Sequence, residues 1–124
     1  MAIVRQPGTT IDCVPECDRT KPPEEQTTFA IKVLTYDEWL RWVGLRMNNE
    51  EATWRAQKKL LGMGLVEVRN LQVLGAGGKL ESFVLEKRGE ELTEKSCSIL
   101  RPFIEEIMRM IADAHTFKVD DAKN

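Results

Sequence analysis

Cys13, Cys17, Cys97 and His115 are the side chains in this chain whose types suit metal chemistry, because tetrahedral zinc takes thiolate and imidazole ligands. Three residues separate Cys13 from Cys17, a gap with precedent in zinc modules, but Cys97 falls alone on a predicted helix and His115 alone at a helix end. The pattern lacks a second close ligand pair, so the expectation is ordinary buried or surface thiols and no metal or other cofactor. A nucleophilic pairing of Cys97 with His115 is weaker, since the residues around the cysteine neither lower its pKa nor supply an orienting carboxylate. Gly75-Ala76-Gly77-Gly78 resembles a phosphate cradle only superficially. A Walker loop ends in Gly-Lys-Ser/Thr and opens a helix, whereas Gly78-Lys79-Leu80 leads into a strand, so a hairpin turn is expected.

Arg41, Arg46, Arg55, Lys58 and Lys59 lie near Trp39, Trp42 and Trp54, the mixture used by single-stranded nucleic-acid surfaces. Glu38, Glu50 and Glu51 dilute that charge, and a solvated helix face is the expectation. Trp42 sits beside the stripe defined by Trp39 and Val43. It is therefore expected to be partly exposed and to mark a protein contact.

The elements that must position these residues follow from periodicity. Phe29, Ile31 and Val33 alternate with Thr28, Ala30 and Lys32, the period of a half-buried strand over 27–34. Thr35 is placed to cap a helix whose stripe is Tyr36, Trp39, Leu40, Val43 and Met47. Asn48 and Asn49 interrupt it, and a second helix is predicted from about Glu50, stopped by Gly62 and Gly64. Leu65-Val66-Glu67-Val68-Arg69 alternates until the apolar set changes parity at Leu71 and Val73, which predicts a bulge or bend at Asn70. A hairpin over 65–87 is expected around the glycine turn, with Phe83 and Leu85 inward. Thr93 caps a further helix to about Leu100, and Pro102 begins a new one with Ile104, Ile107, Met108, Ile111 and Ala114 on its apolar side.

The expected architecture is therefore α+β: a small antiparallel sheet, strand 27–34 plus hairpin 65–87, packed with about four helices. At 124 residues there is room for one core, assigned to 27–116. Residues 117–124 read as a polar tail. Residues 1–26 hold Pro7, Pro15, Pro22 and Pro23 and resist helix formation, so they are expected to form an extended N-terminal arm. Within it, Thr9 to Val14 is β-favourable and is expected to add to its own sheet or a neighbour's. Ile11, Val14, Pro22, Pro23 and Trp42 are the expected protein-interaction residues.

Eighteen basic and 20 acidic residues give a net charge of −2, which favours neither nucleic acid nor an anionic membrane as partner. The longest apolar runs are only a few residues and no leader pattern opens the chain, so synthesis in the cytoplasm is expected. Three cysteines do not pair off within one chain. Reduced thiols are the default, and Cys13 and Cys17 in the arm are candidates for intermolecular disulfides in an oxidising exterior.

Taken in order, Val14-Pro15-Glu16-Cys17-Asp18-Arg19, then Pro22-Pro23-Glu24-Glu25-Gln26, then the phenylalanine-centred Thr28 to Thr35, form a pattern. Gly64-Leu65-Val66-Glu67-Val68-Arg69-Asn70 before a glycine hairpin, Leu92-Thr93 before a proline-broken helix pair, and Lys123-Asn124 complete it. This layout resembles small proteins of the structural-gene modules of tailed bacteriophages, of tail-assembly or head–tail type. The chain departs from the pattern at Val33, where arginine is frequent, and in its cysteines.

The resemblance implies a non-enzymatic structural protein of the virion, in capsid, neck or tail, made in the host cytoplasm. Its implied partners are other phage structural proteins and copies of itself in a symmetric assembly. The alternatives are a cytoplasmic tail-assembly chaperone and, from another class, a small zinc- or nucleic-acid-binding regulator.

Overall fold

The computed structural model describes residues 2–46 and 50–115. The expected 117–124 tail and the break at Asn48 and Asn49 lie outside the described residues. The class is α+β, as the periodicities predict. The central layer is an antiparallel sheet of β1 (Thr10–Cys13), β2 (Thr28–Lys32) and β3 (Leu65–Arg69), with β2 in the middle.

Phe29 and Ile31 on β2 are fully buried, as is Val33 just beyond it, so the alternation reports the core face correctly. Ala30 on the opposite parity is buried too, its small methyl group lying between the longer cross-strand neighbours Asp12 and Glu67. Leu60, Leu61 and Ala56 from α2 (Glu50–Gly64) complete that core with Leu92, Leu100, Ile107 and Ile111. Burying side chains of this size stabilises the fold by roughly 1.5–3 kcal/mol each before chain entropy is counted.

Helix α1 (Tyr36–Arg46) starts on a capping box. The Glu38 N–H donates to Thr35 Oγ1 at 3.2 Å, while Glu38 Oε1 accepts from the Thr35 N–H at 2.9 Å. Thr93 does the same work for α3 (Glu94–Leu100), where its hydroxyl accepts from the Ser96 N–H. Pro102 sits in a single 3-10 turn, Arg101–Phe103, and α4 (Ile104–Asp113) follows, close to the predicted division.

Two expectations need correction, on the hairpin and on the arm. The hairpin over 65–87 does not form as one unit, because β3 pairs with β2 while β4 (Gln72–Leu74) and β5 (Leu80–Ser82) make a separate two-stranded sheet. Asn70 divides them. It has φ 60°, a left-handed conformation that asparagine tolerates, and it turns the chain out of the first sheet. Asn70 is thus the predicted bend, and a further bulge lies within β3: Ala30 faces Glu67 and Ile31 faces Leu65, so Val66 is the extra residue.

Gly62 and Gly64 close α2 as predicted, Gly64 being its last residue and Gly62 lying in its last turn. They are needed for close approach. A Cβ at Gly62 would stand 2.0 Å from the Glu90 carbonyl oxygen, in the tight turn between β6 (Lys87–Arg88) and β7 (Glu91–Leu92). A Cβ at Gly64 would meet the Ile111 side chain at 2.7 Å.

The expected arm, finally, is not separate from the core assigned to 27–116. Its β1 segment is an edge strand of the central sheet, Pro15 is buried, and Pro22-Pro23 lead into a 3-10 turn, Pro23–Glu25, that lies on the domain. Of the two destinations open to this strand, the sheet of its own chain is the one occupied.

Candidate functional site

The arm is fastened by polar side chains that satisfy backbone groups. Asp18, only 7% exposed, accepts from the buried Thr27 N–H at 2.9 Å and pairs with Lys21 at 2.9 Å. The hydrogen bond from the Lys21 ammonium, joined by the Thr27 amide, holds the Asp18 carboxyl at about 2, well below its ordinary value. Asn70 Nδ2 donates to the Glu24 and Gln26 carbonyls, and the Thr27 hydroxyl donates to the Asn70 carbonyl. The left-handed Asn70 thus turns the sheet strand and ties down the arm with one residue.

Two further ties join the arm to α4. The Glu16 N–H donates to Glu106 Oε2 at 2.8 Å, and Arg5 donates to the carbonyls at the helix end, through Nη1 to Ala114 and through its backbone N–H to His115.

Ile11 and Val14 are half-buried and Ile11 packs on the core, while Pro22 and Pro23 are exposed. Trp42 requires a correction, since it is 7% exposed and belongs to the core. The reason is the orientation of α1. Burial raises the Glu38 carboxyl, but the Lys32 ammonium on β2, 2.8 Å away, and the Thr35 amide outweigh it and bring it below its ordinary value. That ion pair turns the Glu38 side of α1 toward the sheet. Trp42, one turn further on, follows Glu38 inward.

Tyr36, Trp39 and Leu40 are consequently left on the surface, where Trp39 stacks at a tilt on Trp42 with ring centroids 4.8 Å apart. Tyr36 and Trp39, with Leu34, Thr35, Ile111 and His115, line an apolar cleft of about 320 Å³.

A second apolar surface lies on the β4–β5 hairpin. Leu74 faces Leu80 across the pair, and the two side chains are 68% and 64% exposed, with Val84 beyond them also open. Sequence reasoning placed this hairpin in the main sheet and missed the face. The signal was present in the symmetry of the Gly75–Gly78 turn, which sets Leu74 opposite Leu80 on the parity opposite to the inward Phe83.

The cysteines and the histidine are not brought together. Cys13 is half-buried on β1, Cys17 exposed in the arm, Cys97 half-buried on α3 and His115 exposed after α4. Among the described residues no three His, Cys, Asp or Glu side chains are grouped to hold a metal ion. Burial pushes the Cys97 thiol up, and partial desolvation with the adjoining Asp18 carboxylate pushes Cys17 up. Both shifts oppose thiolate chemistry at neutral pH. Arg41 binds Glu90 through both carboxylate oxygens, and Arg55 and Lys59 lie near Glu91 and Glu90, so this part of the basic cluster is paired within the chain. Among the described residues no helix is long and apolar enough to cross a membrane.

No protein-family model, curated protein or solved structure matches the chain.

Proposed function

We propose that this protein is a non-enzymatic assembly subunit that works through protein–protein contacts, as a structural component of a tailed-phage virion. The observation that supports it is the pair of separate apolar surfaces, Tyr36-Trp39-Leu40 on α1 and Leu74-Leu80-Val84 on the hairpin. Aromatic and aliphatic side chains left open to water at two places suit a subunit that touches more than one neighbour. The resemblance of the 14–35 and 64–70 segments to phage structural-module proteins gives the reading its particle. Its partners would be other virion proteins and copies of itself.

The apolar cleft beside Trp39 favours one second reading, a cytoplasmic tail-assembly chaperone that receives a partner's side chain there and leaves before maturation. Quantitative mass spectrometry of purified particles separates the two. Stoichiometric copies are the expected result, and a chain abundant in the lysate but absent from particles would move the assignment to the chaperone.

A further inference from the structure

The outer edge of β1 carries backbone groups turned away from β2. Because the Thr9 carbonyl accepts from the Val33 N–H, alternate residues along β1 face β2, and the backbone groups of Thr10 and Asp12 point the other way. No strand among the described residues pairs with that edge. It opens on a groove of about 510 Å³ between β1 and α4, floored by Ile11, Cys13 and Met110 and rimmed by Glu106, Arg109 and Asp113.

The groove is bracketed. Arg5 bridges to Ala114 at one end, and Glu16 bridges to Glu106 at the other. At 1.5 Å per residue the helix between those ties spans roughly 12 Å. That length admits about three or four extended residues. The same ties set direction: α4 runs antiparallel to β1, so Glu106 lies by Cys13 and Asp113 by Thr10.

The β4–β5 hairpin has the matching form. Phe83 N–H donates to the Leu71 carbonyl and Gly75 N–H to the Lys79 carbonyl, so alternation turns the backbone groups of Leu80 and Ser82 to the outer edge of β5, which pairs with no strand among the described residues. An antiparallel pairing with Leu80 opposite Asp12 and Ser82 opposite Thr10 would put Lys79 and Glu81 on the groove face. Lys79 then falls beside Glu106, and Glu81 beside Arg109, which has no ion pair among the described residues.

We propose that the free edge of β1 binds the β5 edge of a second copy of this chain, a head-to-tail strand addition that joins copies in series. Strand addition draws its strength from main-chain hydrogen bonds and its selectivity from the flanking side chains. A heterologous contact of this kind closes into a ring or extends as a filament. The proposal rests on the assembly reading for its setting. Its test needs no particle, so a chain absent from virions could still pass it, and a virion protein could still fail it.

The experiment is sedimentation velocity on the pure full-length chain and two proline variants, Thr10→Pro and Leu80→Pro, each removing an outward amide donor that no neighbouring strand uses. Circular dichroism establishes that both fold. The wild type is expected to associate increasingly with concentration, and each variant alone to lose every species above monomer. An equimolar mixture restores one contact and is expected to stop at the dimer, since Thr10→Pro keeps the hairpin and Leu80→Pro keeps the edge. Surface charge reversal gives an independent arm: Arg109→Glu is expected to weaken association by about tenfold, and adding Glu81→Arg to recover it. A wild type monomeric up to its solubility limit, a Thr10→Pro chain that still associates, or a mixture that stays monomeric would overturn the proposal.

Discussion

The arm and the β4–β5 hairpin exchange the places that their composition suggests. The arm is rich in proline and charge, yet it is fastened to the core at Asp18, Asn70, Glu106 and Ala114. The hairpin carries Leu74, Leu80 and Val84, yet leaves them to solvent. Attachment here depends less on how apolar a segment is than on whether its backbone groups find fixed partners. An unpaired buried amide costs about 1–3 kcal/mol, so a carboxylate that meets one is a strong fastener even on a polar segment.

The hardest way to break this contrast is to remove the fastener. Asp18→Ala leaves the Thr27 N–H buried without an acceptor and frees Lys21, and is expected to cost about 2–3 kcal/mol. Chemical denaturation would measure the loss, and amide exchange would show it spreading from the arm into β1. Asn70→Ala comes next, at about 1–2 kcal/mol, since it removes two hydrogen bonds to the arm and places alanine at φ 60°. Unchanged stability in this variant would mean that the turn and the arm are independent of each other.

Acid sharpens the comparison without mutation. The Asp18 carboxyl titrates at about 2 in the folded chain, against 3.8 ordinarily. A depressed carboxyl contributes stability that is complete above the ordinary value and is lost as pH falls through the folded one. Arm protection should therefore be flat from neutrality to about pH 4, then decline toward pH 2, and Asp18→Asn should flatten that part of the profile. Proton exchange followed separately for arm and hairpin amides would show whether the decline is confined to the arm.

The hairpin should give the smallest response. Leu74→Ser and Leu80→Ser are expected to change stability by less than about 0.5 kcal/mol, because their side chains are already solvated. A loss above 1 kcal/mol by thermal melting would show that this face is covered within the chain.

Legibility in the sequence followed how local the cause was. The capping threonines Thr35 and Thr93, the proline break at Pro102 and the inward parity of Phe29, Ile31 and Val33 were readable because each depends on a few neighbouring residues. Trp42 was misplaced because its stripe was phased on the apolar residues alone. The helix is oriented instead by a polar contact between Glu38 and Lys32 from a neighbouring strand. The bend at Asn70 was readable from the parity change, whereas Val66, a bulge within β3, carries no turn residue to betray it. Gly62 and Gly64 were readable as the end of α2, but their second role was not, because Glu90 and Ile111, which require them, are distant in sequence.

By itself, then, the sequence determined the α+β class, most element boundaries and the residues of β2 that enter the core, because hydrophobic period and capping chemistry act within a turn or a strand. Tertiary structure alone decided that β1 joins its own sheet, that β3 and β4 part at Asn70, and which apolar side chains remain open. Those outcomes depend on pairings between segments far apart in the chain, such as Asp12 with Ala30 or Asn70 with Glu24, whose free energies no local pattern encodes.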